Sequence, residues 1–358
     1  MSQIDTLSEL LQLSNSSYRV FDLGRKVEKI SKTNFERIEQ AMMPYPSPLQ
    51  GHAHLAVVFW QKRPETPYIW FIKLPLDERG LLNQAARNHF IAIIIEALGN
   101  DLTVDPTEKQ EELLKANPYN FTPSQYKLAA LNSTLKFEFK QPASQYFEHC
   151  HLYFTGELGW DNWQGIGVQG LCDFAARINE GTNKGANADI LANALPHLPE
   201  QVFTPLSVAL ENQQLPVVLN EVLAQMAKSE LEKDSPDSNY LSAIVRAMSG
   251  NALNPLFLEL ADTLISDNRC QKLEIFVAIS GRGWMALADY SRMQKFLEAV
   301  VEFIDQQTFF ALFQDLVALP MIRPVLLQVI RAKDRTPALE KAIGELFTTM
   351  QGQTPKQG

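Results

Sequence analysis

The chain has 358 residues, 46% of them hydrophobic, with 41 acidic against 32 basic side chains, a net charge of −9 and a pI near 5.3. Apolar residues on that scale supply real cores for two domains or one extended array, which excludes a disordered chain, and the acidic balance argues against a general binder of nucleic acid or anionic membranes, which needs a basic footprint. Cys150, Cys172 and Cys270 are far apart and odd in number, so they supply no disulfide framework or zinc-ribbon spacing and read as thiols of a reducing compartment.

The first residues, Met-Ser-Gln-Ile-Asp-Thr-Leu-Ser-Glu-Leu-Leu, carry acids and lack the basic-then-apolar order of a signal peptide, which predicts a short amphipathic helix and a cytoplasmic protein. Tyr18 to Ile30 alternates as strands do on both sides of Gly24, a tight turn or bulge. Arg19, Arg25, Lys26, Lys29 and Lys32 could form an anion site there. Asp22 and Glu28 are interleaved with them, however, and alternating charge is the usual protection of an edge strand. Ser31 is placed to cap a helix running to Met42, with Phe35, Ile38 and Met42 on one face.

Residues 55–60 and 68–74 are apolar with little alternation, the pattern of strands covered on both faces, and Pro64 and Pro67 confine the break between them to a turn. Asp77 then stands as the expected N-cap of a long helix, with Glu78 in its first turn and Arg79, Asn83, Gln84, Arg87 and Asn88 sharing an early polar side. From Phe90 the run Phe-Ile-Ala-Ile-Ile-Ile has no polar face, which predicts a second half enclosed on all sides. The run is too short to cross a bilayer.

Three of these segments carry a family likeness: Phe-Asp-Leu-Gly-Arg at 21–25, Pro-Tyr-Pro-Ser-Pro-Leu-Gln at 44–50 and Leu-Pro-Leu-Asp-Glu-Arg-Gly-Leu-Leu at 74–82. With them the chain resembles, over nearly its whole length, the functionally uncharacterised DUF3549 family of gammaproteobacteria, in which Leu-Asp-Glu recurs. The resemblance implies a length class and a bacterial cytoplasmic setting, and it implies no activity.

Two further helices are predicted between Asp105 and Lys140, opened by Asp105-Pro106 and by Thr122-Pro123. Leu135 to Lys140 also alternates as a strand would, but Leu128, Leu131, Leu135 and Phe139 keep helical spacing. From about Gly165 strand signals cease and apolar stripes at helical spacing follow one another: Leu215, Val218, Leu219, Val222, Leu223 and Met226; Phe257, Leu260, Ala261, Leu264 and Ile265; Phe296, Leu297, Val300, Val301 and Ile304; Ile322, Val325, Leu326, Val329 and Ile330; Leu339, Ile343, Leu346, Phe347 and Met350. Breaks as short as Gln213-Gln214 and Asp305-Gln306 require antiparallel helix hairpins, and Thr-Pro-Leu at 204–206, Asn-Pro-Leu at 254–256 and Arg-Pro-Val at 323–325 read as helix openings. The predicted architecture is an α+β domain over 1–155, a small and mostly antiparallel sheet with helices. An all-α, HEAT-like helical-hairpin array over 160–350 follows, with a compact bundle as the alternative. Ser229 to Ser238 is expected to be a mobile loop and 351–358 a disordered tail.

The chemical motifs are weak. Gly165-Ile-Gly-Val-Gln-Gly170 spells Gly-x-Gly-x-x-Gly, but no strand precedes it and no βαβ alternation follows, so close helix packing explains it better than a dinucleotide. His149-Cys150-His151 would turn its two histidines apart on a helix. Asp77 and Glu78, adjacent on a helix, could not flank one substrate bond, whereas Glu78 with Arg79 could pair to another segment. The reading is a non-enzymatic protein-interaction chain with an unidentified protein partner, no membrane insertion, no general nucleic-acid binding, and neither cofactor, metal nor catalytic residue. Its candidate surface is Asp77, Glu78, Arg79, Arg25, Trp160, Asp161 and Trp163. One alternative is an enzyme or small-ligand binder with a pocket at the domain junction, where His52, His54, Asp77, Glu78, Trp160, Asp161 and Trp163 would converge; the other is a structural oligomer.

Overall fold

A computed structural model describes residues 4–62, 66–99, 102, 107–182 and 185–352, with side chains as far as Thr349. The chain divides into two compact units, one of residues 1–142 with 318–320 and one of 143–317 with 321–358. The segments holding Pro64 and Asp105-Pro106, and residues 353–358 of the tail expected over 351–358, lie outside the described residues; the first two residues of that tail, Gln351 and Gly352, instead end the last helix.

In the first unit Thr6 and Glu9 form a reciprocal capping box that starts α1 (Leu7–Leu13). Strands β1 (Ser17–Asp22) and β2 (Glu28–Ile30) make the expected hairpin, Ser31 caps α2 (Lys32–Glu39), and β3 (His52–Trp60) and β4 (Tyr68–Pro75) follow. The sheet is antiparallel throughout, in the order β2-β1-β3-β4, with Val57 opposite both Val20 and Trp70. One face of the sheet, with Val20, Leu55, Val57, Ile72 and Leu74, packs on Leu7 and Leu11 of α1, Phe35 and Ile38 of α2 and Phe90, Ile91 and Ile94 of α3 (Gln84–Leu98). On the other face Phe21, Ala56 and Val58 are buried too, which is why β3 carries no alternation. After α4 (Glu108–Lys115) comes α5 (Gln125–Glu138), whose last residue, Glu138, pairs with Arg19 and Lys29 while Phe139 meets the Trp60 ring at 5.0 Å. The free side of β4 is covered by Tyr119 and Phe121, through Lys73 N to Tyr119 O (2.7 Å) and Phe121 N to Phe71 O (3.3 Å).

Several expectations are corrected here. Helix α3 starts at Gln84 with Asn83 as its cap, its Oδ1 accepting Ala86 N at 3.0 Å, and not at Asp77. Arg87, expected on a polar side, is buried and donates to the Glu39 carbonyl. The second half of α3 is not enclosed, since Ala92 and Glu96 are exposed; a small residue and an acid make that side cheap to leave in water. Met42 lies beyond α2 and is 69% exposed. Ser124, rather than Pro123 at a first helical position, opens α5.

The second unit contains α6 (Tyr146–Phe154), α7 (Val168–Ala176), α8 (Asn187–Ala194), α9 (Glu200–Leu210), α10 (Val217–Leu231), α11 (Ser238–Met248), α12 (Pro255–Ser266), α13 (Leu273–Gly281), α14 (Tyr290–Phe303), α15 (Gln306–Ala318), α16 (Arg323–Arg331) and α17 (Pro337–Gly352). Helices two apart in the chain pack side by side. One row runs α7, α9, α11, α13 and the other α8, α10, α12, α14, α16, with α10 and α12 touching α11 across the rows. The apolar face of α11 is thus shared between neighbours in its own row and in the other. Strand pairing does occur in this unit, as a two-residue ladder at Gly181–Thr182 and Gly185–Ala186. Pro205 lies inside α9 and opens nothing; Pro199 is the residue before that helix. The expected loop from Ser229 begins later, because α10 continues to Leu231.

Candidate functional site

The sequence-chosen residues of the first unit are occupied with their own loops. Asp77 accepts Arg79 N (2.9 Å) and Leu81 N (2.8 Å) and pairs with the Arg79 guanidinium at 3.2 Å, and Gly80 takes φ +79° to close the turn below a Leu76–Leu82 bridge. The Leu81 amide first, and then Arg79, hold this exposed carboxyl below its usual range. Asp77 is a loop anchor, Glu78 beside it is exposed, and Arg79 pairs within the loop and not to another segment. Arg25 is 1% exposed, so it belongs to no surface: its Nε donates to Pro48 O at 3.0 Å and its carbonyl accepts Lys127 Nζ at 2.7 Å.

Of the ionisable groups buried wholly or in part in this unit, sequence reasoning named Asp22 as an edge-strand charge and His54 as a junction candidate, and it did not single out Glu39. Asp22 accepts from the Tyr45 hydroxyl and from Gly24 N (3.2 Å), while Asp22 Oδ2 and His54 Nδ1 are buried with no partner among the described residues. Burial pushes Asp22 up to about 6; burial first and Lys73 second push His54 down to about 4. Glu39 accepts Leu7 N (2.6 Å), Ser8 N (3.1 Å) and the Ser8 hydroxyl, satisfying the opening amides of α1 from another helix, and burial pushes it up to about 7. A carboxyl raised in the fold favours the protonated state, so its stabilisation is full below the unfolded value near 4.5 and is lost as pH rises through about 7. Asp22 acts in the same direction between 3.8 and about 6, whereas His54, lowered from 6.5, costs stability as pH falls toward 4. Denaturant unfolding is therefore expected to show the first unit losing stability from about pH 5 to about pH 8, with Glu39→Gln removing up to about 3 kcal/mol of that dependence. An unchanged slope in Glu39→Gln would refute the assignment.

In the second unit Trp160 is half-buried, its carbonyl accepting the Tyr153 hydroxyl at 2.9 Å and its ring stacking on His197 at 5.3 Å, with 14° between planes. Asp161 is exposed and Trp163 opens a single 3-10 turn. Of the glycine motif, Gly170 serves close helix packing, since a Cβ there would stand 2.8 Å from the Tyr146 carbonyl oxygen; one on Gly165 would meet the exposed His149 ring, and one on Gly167 would meet nothing within 4 Å. On α6, Cys150 and His151 are buried and His149 is exposed. Among the described residues no group of three or more His, Cys, Asp or Glu could hold a metal.

The second unit also holds an open groove of about 630 Å³, within the range of ligand and peptide sites. Val222, Gln225, Met226, Ser229, Glu230 and Lys233 of α10 and its end form the floor, with Ala192 and Pro196 on one side and Asp237 and Tyr240 on the other. Pro196 is the chain neighbour of His197, so the Trp160 stack stands next to this groove. Glu230, 5% exposed, accepts Lys233 Nζ at 2.6 Å and Asp237 N at 2.9 Å, and Asp237 caps α11 through Asn239 N and Tyr240 N. A second depression, of about 380 Å³, crosses α9, α11 and α13. Beneath it the buried Glu211 holds the guanidiniums of Arg246 and Arg282, the latter at 3.0 Å.

A family model described as a protein of unknown function, DUF3549, matches residues 2–347. The chain belongs to the DUF3549 family. No curated protein and no solved structure matches it.

The groove of this DUF3549 protein offers apolar contact at Ala192, Pro196, Val222 and Met226. Its acids are engaged as a loop tie and a helix cap, and burial first, then Glu230, push the Tyr240 phenol above its usual range. Val222 and Met226 had read as core because they continue a helical stripe; the structure leaves both half-buried on the groove floor. Among the described residues no helix is long and apolar enough to cross a membrane.

Proposed function

We propose that this DUF3549 protein is a cytoplasmic, non-enzymatic binding protein whose helical unit holds a segment of a partner protein in the groove over α10. The observation that carries this reading is an open groove with apolar residues on its floor and with acids, Glu230 and Asp237, already fixed by contacts within the fold. Such a surface gains from burying a partner's apolar side chains, at roughly 25 cal/mol per Å², and lacks the mobile acid or base that catalysis requires. The two rows of helices support a HEAT-like stack, an architecture that keeps one face of each helix free for contact. Affinity capture with the full chain and with Val222→Glu tests it. The unaltered chain is expected to recover a partner that Val222→Glu loses at unchanged melting temperature. Equal recovery by both, or a small-molecule ligand that stabilises both equally, would remove the proposal.

A further inference from the structure

The length and charge of the groove restrict what fills it. The α10 side of the floor, from Val222 to Glu230, repeats at helical spacing over eight residue steps, which at about 1.5 Å per residue is roughly 12 Å, or a little over two turns of a partner helix. Apolar surface lies along the early part of that stretch, at Val222, Met226 and the facing Pro196, and acids gather at the far end, with Glu230 and Asp237 lining the groove and Glu232 and Asp234 exposed beside them. Two of the nearby cations are engaged inside the fold, while Lys228 is exposed on α10. Lys233 pairs with Glu230, and the Arg269 guanidinium donates to Leu231 O (3.1 Å) and Lys233 O (2.8 Å) and pairs with Asp267 at 2.6 Å.

We propose that the partner segment is an amphipathic helix with apolar side chains at i, i+3, i+4 and i+7 and basic residues at one end, seated with that end over Glu232 and Asp234. The proposal rests on the groove reading above and adds the partner's charge and conformation. The apolar stripe would supply affinity, and the acidic end would fix direction and reject acidic helices, since opposed charge mainly sets selectivity and association rate. Because Glu232 and Asp234 are exposed, the attraction should weaken with added salt.

Three synthetic helix-forming peptides with one shared leucine stripe, and lysine, glutamine or glutamate on the remaining face, are titrated against the full chain by fluorescence anisotropy. The expected order of affinity is lysine, then glutamine, then glutamate. The double variant Glu232→Lys, Asp234→Lys should weaken the lysine peptide about tenfold and leave the glutamine peptide nearly unchanged. Val222→Glu should abolish binding of all three, with Val222→Ser used in its place if circular dichroism shows a disturbed fold. A glutamate peptide that binds as well as the lysine one, or a charge reversal without effect, overturns the basic-helix proposal while leaving the groove reading standing. Absence of binding by every peptide, or binding that survives both Val222 variants, overturns the two together.

Discussion

Glu211→Ala is expected to destabilise the helical unit by about 3 kcal/mol, the cost of removing one partner from a buried ion network. Glu211 is 1% exposed at the end of α9 and holds Arg246 of α11, through Nε and through Nη2 at 3.1 Å, and Arg282 just after α13, through Nε at 3.0 Å. One carboxylate therefore ties the ends of three successive helices in one row. Without it two guanidiniums, each still more than two-thirds covered, face one another with no shared anion. Arg246→Met should cost about 1 to 2 kcal/mol, because Arg282 remains to satisfy the acid. Urea unfolding of Glu211→Ala, Arg246→Met and the double variant measures the coupling. A loss below about 1 kcal/mol in Glu211→Ala would show that the row is held by apolar packing alone.

Two glycine-to-alanine substitutions in the same unit should act in opposite directions. A Cβ at Gly250 would stand 1.6 Å from the carbonyl oxygen of Gln213, in the turn between α9 and α10, and 2.7 Å from its carbonyl carbon. Both neighbours are backbone, so relief requires the turn to move away from the residues following α11, and Gly250→Ala is expected to cost about 3 kcal/mol or more. Gly344 lies within α17 with nothing within 4 Å of an added Cβ, so Gly344→Ala should stabilise by about 0.5 to 1 kcal/mol by reducing unfolded-chain freedom. Thermal melts of both variants decide the matter, and a neutral Gly250→Ala would contradict the packing described for that turn.

Much of the fold was legible because local chemistry and tertiary packing agree. The unbroken apolar run of β3 marks a strand buried on both faces, Ser31 caps α2, and the stripe from Phe257 to Ile265 is buried throughout. The misplaced start of α3 shows where such reasoning stops. Asp77 and Asn83 are both good caps, and the choice fell to Gly80 and the Leu76–Leu82 bridge, which hold the chain in a loop until Asn83. At α9 the signal lay in Pro199, while Pro205 was the more conspicuous and sat in the helix interior. The groove was the least legible feature. Val222 and Met226 belong to a stripe wider than its neighbours cover, and stripe width relative to available partners depends on tertiary arrangement. Glu230, within a stretch that read as mobile, ties that turn to Asp237 N.

The most direct measurement places a photo-crosslinking amino acid at Gln225, exposed on the groove floor, and for comparison at Lys295, exposed on α14, in the full chain within its native lysate. The account predicts a crosslinked partner peptide from Gln225, apolar at helical spacing with lysine or arginine toward one end, and none of that peptide from Lys295. A partner that co-purifies with the chain yet crosslinks only from Lys295 would contradict it.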